Sequence, residues 1–306
     1  PRFDDINVAG FNPCVEQQLE DAELCCLVET YPAKHDDLDD YLRTLKIAYL
    51  YGKTITLSNT HWPETNAKML KNRRIGLSQS GVVQAFAKFG RREVYDMCDR
   101  AYDYVKQLDE EYSNWLCIPN SVRMTSIKPS GTVSLLNGST PGIHFPEDEY
   151  YIRRIRFSKT SKLLDKLADA GYLIEDDKYS PNTAVVEFPV HEPYYSKGKK
   201  DVSMWEQLEI AAQYQHYWAD NSVSITVTFK EDEAPQLKSA LELYETRLKA
   251  VSFLKYEETG YEQAPYEAIT KKQYEKLTKK ITPIRRLDIN EGGEGSKFCT
   301  NDTCIL

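Results

Sequence analysis

Ser222-Val-Ser-Ile-Thr-Val-Thr-Phe229 is the cleanest strand in the chain, a run of β-branched and aromatic residues in alternation with small polar ones. A helix is expected just before it, over Ser203–Ala219, and another just after, over 234–249, leading to a strand at Ala250–Leu254. The same alternation runs upstream. Val122–Ile127 reads as a strand ending in a tight loop at Pro129 and Gly131, Tyr150–Phe157 and Ala184–Val190 as further strands, and Ser161–Ala170 as a helix. Towards the N-terminus, 35–51 carries apolar residues at helical spacing (Leu38, Tyr41, Leu42, Leu45, Ala48, Tyr49), with acidic residues in the first turn. A second helical run follows from Pro63 to about Lys71, then a flexible loop at Gly76–Gly81, then helices over 82–90 and 91–115. Strands separated by helices of this length predict an α/β protein with a parallel or mixed sheet or barrel.

Composition removes several classes of function. The 306 residues hold 47 acidic and 39 basic side chains, a formal charge of −8, which argues against a broad nucleic-acid surface. No window approaches the ~18 consecutive apolar residues of a membrane span, and no basic-then-apolar leader opens the chain. Seven Cys are too sparse for a disulfide scaffold and read as thiols, metal ligands or redox centres in a reducing, cytoplasmic setting. Pro1 either follows a removed initiator Met or begins the chain in mid-protein.

Three constellations carry chemistry. In Asn12-Pro13-Cys14-Val15-Glu16, alternation on an extended loop puts an amide, a thiol and a carboxylate on one face, with Cys25-Cys26 a short distance on; the plainer reading is a buried Cys near a turn. Cys299 and Cys304 sit on a Gly-rich arm after Arg286, where two thiols can form and exchange a disulfide or supply half of a zinc site. Lys128-Pro-Ser-Gly-Thr-Val-Ser134 lies at a strand end, where Gly131 permits close approach and backbone N–H groups and hydroxyls suit phosphate oxygens; alone it is also an ordinary turn. Cys98 and Cys117 lie among apolar helical residues and read as packing thiols; His61 reads as structural, His144 stays open, and Arg153, Arg154 and Arg156 fit a solvated, ion-paired face or a triphosphate site.

In this order the three resemble the catalytic subunit of ribonucleotide reductase. Asn12-Pro13-Cys14-Val15-Glu16-Gln17 resembles its active-site finger loop. Ser126-Ile-Lys-Pro-Ser-Gly-Thr-Val-Ser-Leu-Leu136, Pro141-Gly-Ile-His-Phe-Pro146, Trp218-Ala-Asp-Asn-Ser-Val-Ser224 and Gln263-Ala-Pro-Tyr-Glu267 resemble the adenosylcobalamin-dependent class II enzymes, most of all the monomeric ribonucleoside-triphosphate reductases. The likeness covers roughly residues 8–270 plus the tail, in a family whose chains are about twice as long, so this chain is similar to the C-terminal half.

The resemblance implies part of a ten-stranded α/β barrel over 1–285, with the finger loop at 10–26, and a flexible redox tail over 286–306. It implies Cys14 as the thiyl residue, Glu16 as general base, Asn12 as an orienting amide, and Cys25 (or its neighbour Cys26) as one of the reducing thiols. The other reducing thiol belongs to the missing N-terminal half. Cys299 and Cys304 would regenerate the pair and be reduced by thioredoxin. Ser130, Gly131, Thr132, Val133 and Ser134 would cradle the substrate phosphates, and adenosylcobalamin would be the cofactor, with no metal ligand set expected. The adjacent pairs Tyr150-Tyr151 and Tyr194-Tyr195 lie far from where a subunit-fed class I enzyme carries its radical tyrosines. That class, and a non-enzymatic zinc or thiol interaction module, are the alternatives.

Overall fold

The computed structural model describes residues 5–256 and 262–284, which form two compact units: one from the residues up to Pro146 together with 192–256, the other from 147–191 with 262–284. Cys299, Cys304 and the expected tail over 286–306 lie outside the described residues.

The first unit is α/β. It opens with a short hairpin, β1 (Gly10–Phe11) antiparallel to β2 (Gln18–Leu19). Then come β3 (Leu27–Thr30), α1 (Leu38–Ile55), α2 (Pro63–Asn72), β4 (Gly76–Gln79), α3 (Val82–Phe89) and α4 (Arg91–Leu116). β3 and β4 pair in parallel, and single parallel bridges continue the sideways order through Leu77↔Thr125 and Ile127↔Val223. Thus the expected strand over 122–127 exists as an extended segment bonded on both sides, although too irregular to form a ladder.

Aligned hydrophobic stripes cover this ribbon. α1 begins at Asp37, whose carboxylate accepts from the Asp40 N–H at 2.8 Å, and buries Tyr41, Leu45 and Tyr49 at four-residue spacing. α4 buries Val94, Ala101, Val105, Leu108 and Tyr112 along one face against α1. Between these helices Lys53 is fully buried and its ammonium meets the Asp109 carboxylate at 2.6 Å, so that neither charge is left alone. No described helix is long and apolar enough to cross a membrane.

Three sequence expectations need correction. Gly76–Gly81 is not a flexible loop: its first four residues are β4, every one buried. The polar letters Ser78 and Gln79 hid a strand because their hydroxyl and amide groups serve an internal polar cluster rather than solvent. Cys117 is exposed in the left-handed residue that ends α4 (φ 53°), so it is no packing thiol, whereas Cys98 is buried as expected. The strands over 150–157 and 184–190 do not extend the parallel ribbon. They belong to the second unit, where β5 (Tyr150–Ser158), α5 (Leu163–Asp169), β6 (Leu173–Asp176) and β7 (Thr183–His191) precede the later elements.

Back in the first unit, α6 (Met204–Tyr217), β8 (Thr226–Phe229), α7 (Leu237–Tyr244) and β9 (Ser252–Lys255) complete the ribbon, with β8 and β9 parallel. The second unit ends with β10 (Tyr266–Ala268) and α8 (Lys271–Thr278), and its sheet has the order β10-β5-β7-β6, antiparallel throughout. There the arginines are spent on ion pairs: Arg154 with Glu187 and Glu267, and Arg156 with Asp177 at 2.6 Å.

Candidate active site

The hairpin from residue 10 to 19 has a tip built by Asn12. Its side-chain oxygen accepts from the Gln17 N–H at 2.9 Å, its own N–H donates to the Gln17 carbonyl at 3.1 Å, and its carbonyl accepts from Val15 N–H at 2.9 Å. The amide therefore shapes the turn that carries the thiol and carboxylate. Val15, between them, sits at φ 66°, a left-handed conformation that a β-branched residue rarely adopts.

The tip is tied to the ribbon. The Ser222 N–H donates to the Glu16 carbonyl at 3.2 Å, the Ser224 hydroxyl donates to the Cys14 carbonyl, and the Gln17 amide donates to the Cys26 carbonyl at 3.2 Å. Gly76 makes room for this seat: a Cβ there would run into the side chains of Gln17, Leu27 and Ser126.

Three groups meet at the tip. Lys128 Nζ lies 3.1 Å from Glu16 Oε1 and 3.6 Å from Cys14 Sγ. Burial alone would lower the Lys128 ammonium, but the Glu16 carboxylate and the neighbouring Cys14 hold it above the ordinary lysine value. Its side chain turns towards the thiol and carboxylate rather than along the phosphate-type loop in which the sequence places it. Glu16 is completely buried, and its second oxygen, Oε2, has no hydrogen-bond partner among the described residues. A buried carboxylate oxygen without a partner is uncommon in a folded protein, and this one belongs to the hairpin that carries the exposed Cys14.

The two adjacent cysteines separate cleanly. Cys26 is buried in the core and its thiol donates to the Gly52 carbonyl at 3.5 Å. Cys25 has exposed surface, yet the protein around it and the nearby Glu16 charge push its thiol up to about 12, against a lesser pull from Lys128. It therefore carries its hydrogen at neutral pH.

The loop over 128–142 runs beside this cluster. Ser130 and Ser134 are buried, Gly131 is half-buried, and Thr132 and Val133 are exposed. The Ser134, Ser139 and Thr140 hydroxyls are buried without a partner among the described residues. Glu29 on β3 gathers three other hydroxyls, from Ser78 (3.1 Å), Ser80 (2.6 Å) and Ser130 (2.5 Å). His144 is fixed as the neutral tautomer: Nε2 accepts from the Thr226 N–H at 3.1 Å, Nδ1 faces the Pro141 carbonyl at 3.2 Å, and burial pulls its pKa down to about 4.

Beneath the tip, Trp218-Ala-Asp-Asn-Ser-Val-Ser224 supplies the foundation. The Trp218 indole N–H donates to the Ser126 carbonyl at 3.0 Å, and the Asn221 amide donates to the Ile75 and Thr125 carbonyls at 2.8 and 2.9 Å. The structure thus brings Asn12, Cys14, Glu16 and Cys25 into one neighbourhood, with the loop of Ser130–Ser134 joined to it through Lys128. Sequence reasoning gave no role to Glu29 or Asp220, whose signals are single carboxylates inside strand-like or motif segments, and it left the direction of Lys128 open.

A scan against protein-family models finds no match. Two curated relatives align with essentially the whole chain. The probable adenosylcobalamin-dependent ribonucleoside-triphosphate reductase of Dictyostelium discoideum is 46% identical over 311 residues, covering 99% of this chain and 41% of its own length. The adenosylcobalamin-dependent ribonucleoside-triphosphate reductase of Euglena gracilis is 48% identical over 314 residues, covering 100% of this chain and 43% of its own length. Among solved structures, that of a B12-dependent class II ribonucleotide reductase matches 92% of this chain and 43% of its own, with a TM-score of 0.81 at 34% identity. In fold this chain is similar to that class II ribonucleotide reductase. The chain is homologous over its whole length to the adenosylcobalamin-dependent ribonucleoside-triphosphate reductases. It spans about two fifths of the length of these curated relatives.

Proposed function

We propose that the enzyme carrying this chain reduces ribonucleoside triphosphates to 2′-deoxyribonucleoside triphosphates by thiyl-radical chemistry. The observation that carries this reading is the meeting of the exposed Cys14 thiol, the open Glu16 Oε2 and Lys128 at one point. Adenosylcobalamin, when bound, supplies the radical chemistry. An exposed sulfur on a rigid hairpin tip fits that group, because its hydrogen can be reached from outside the chain.

A Cys14 thiyl takes the hydrogen from C3′ of the ribose, and Glu16 Oε2 takes the proton of the 3′-hydroxyl. Lys128 keeps the buried Glu16 charge compensated, and Asn12 holds the tip that sets both groups. The 2′-hydroxyl leaves as water. Cys25 and a second thiol from the missing N-terminal half give two electrons and two protons and become a disulfide, and Cys14 returns the hydrogen to C3′. Cys299 and Cys304 reopen that disulfide by exchange and are themselves reduced by thioredoxin. The loop of Ser130, Gly131, Thr132, Val133 and Ser134 takes the phosphates.

In this reading the parallel ribbon is the C-terminal part of a ten-stranded barrel, with residues 10–26 as its central finger loop and 286–306 as its redox tail, in a cytoplasmic enzyme. The names of the relatives favour it over a subunit-fed class I chain and over a zinc or thiol interaction module. The full-length polypeptide carrying these residues, given adenosylcobalamin, a ribonucleoside triphosphate and a dithiol, is expected to release deoxynucleotide. The Glu16→Gln variant is expected to lose roughly 10²–10⁴-fold in kcat, the range for a general base. Absence of deoxynucleotide from the unaltered enzyme overturns the reading.

A further inference from the structure

Glu29 lies outside the thiol cluster, yet its carboxylate organises the phosphate-type loop from behind. Two of its three serine partners have a second bond. The Ser78 oxygen accepts from the Lys128 N–H at 2.9 Å, where the loop begins, and the Ser80 oxygen accepts from the Gly142 N–H at 3.0 Å, where it ends. Ser130, within the loop, donates straight to the carboxylate. A hydroxyl has one proton to give. While Glu29 takes those of Ser78 and Ser80, their lone pairs stay aimed at the two backbone N–H groups. Gly142 is required at the far end, since it sits at φ 50° and a Cβ would clash with the Lys128 carbonyl.

We propose that Glu29 is the positioning residue of the 128–142 loop, fixing both of its ends and Ser130 through three serine hydroxyls, and that it couples binding of the substrate's phosphates to uptake of a proton. This rests on the reading of that loop as the phosphate site.

The coupling follows from charge. Burial raises the Glu29 carboxyl to about 7, against the lowering pull of the three serine bonds and of Lys128. Glu29 in turn helps raise the phenols of Tyr31, just beyond β3, and Tyr41 on α1, which burial raises most, so both are neutral here. Near pH 7 Glu29 is therefore divided between its two forms. A polyanion settling on Ser130 adds negative charge beside it, which favours the protonated form and draws in a proton. By reciprocity, raising the pH through 7 ionises Glu29 and weakens nucleotide binding.

The test uses the full-length enzyme and a ribonucleoside triphosphate, by calorimetry in two buffers of different ionisation enthalpy at pH 7 and by Kd across pH 6–8.5. Unaltered enzyme is expected to take up on the order of half a proton more than Glu29→Gln. Its Kd is expected to rise with pH above 7 by a factor of roughly 3–10 that the variant lacks. Ser80→Ala, which cuts the link to Gly142 and leaves Glu29 in place, is expected to raise KM by roughly 2–10-fold with kcat little changed, and to keep a pH dependence that is moved to higher pH because one lowering bond to Glu29 is lost. Nucleotide binding by Glu29→Gln with unaltered pH dependence and proton count overturns the proposal alone. Failure of the unaltered enzyme to bind the triphosphate overturns the phosphate-site reading and this proposal with it.

Discussion

Cys14→Ser in the full-length enzyme is expected to stop deoxynucleotide formation, a loss of at least ~10⁴-fold, equivalent to about 5.4 kcal/mol of barrier. Nucleotide binding and unfolding midpoint are expected to be unchanged. Cys14 is exposed at the hairpin tip and the loop is held through its backbone carbonyl, by the Ser224 hydroxyl, so a serine fits without rearrangement. The hydroxyl can also keep the contact that Lys128 Nζ makes with the sulfur at 3.6 Å. What it lacks is a bond to hydrogen weak enough to be opened and remade against a ribose carbon. The assay is product chromatography beside equilibrium nucleotide binding. Turnover within tenfold of the unaltered enzyme would remove Cys14 from the radical step, whatever the fate of the remaining assignments.

Asp220→Ala is expected to carry the largest effect on stability, about 3–5 kcal/mol, because it strands several buried donors at once. Asp220 is 4% exposed. Its carboxylate accepts from the Met124 N–H at 3.0 Å, from the Thr125 N–H at 2.8 Å and hydroxyl at 3.1 Å, and from the Tyr102 hydroxyl at 3.2 Å. These bonds hold the extended segment that bridges β4 to the Val223 strand, on which the hairpin tip rests through Ser222. Asp220→Asn keeps one acceptor oxygen and is expected to lose less. Urea unfolding with an unchanged m-value is the measurement, and a shift below about 1 kcal/mol for the alanine variant contradicts this account.

The long amphipathic elements were readable in the sequence because one physical signal dominates in each. α1, α4 and α6 repeat apolar residues at helical spacing over three turns or more, and their observed bounds fall within a few residues of those expected. The segments misread are those in which side chains serve a site instead of a core. In β4, Ser78 and Gln79 resemble loop residues, since nothing in one sequence says that Glu29 waits to accept the Ser78 hydroxyl. The strands at 150–158 and 183–191 match the β pattern of the first unit, and spacing cannot tell a parallel partner from an antiparallel one. The candidate site was legible where chemistry is concentrated in a few adjacent letters, as in Asn12–Glu16. It was not where groups converge from distant segments: Lys128 reaches Glu16 across 112 positions, and Ser130 reaches Glu29 across 101.

The left-handed backbone at Val15 has a consequence for anyone who breeds this enzyme for heat tolerance. A β-branched side chain is among the worst occupants of that conformation, so Gly or Asn at the position relieves strain and is a substitution that selection for survival at high temperature will readily find. The gain comes at the single joint between thiol and carboxylate, where a freer backbone lets Cys14 and Glu16 drift out of mutual register. Libraries screened on durability alone will therefore enrich well-folded, slow catalysts, and a turnover screen run in parallel is what keeps the strained residue in place.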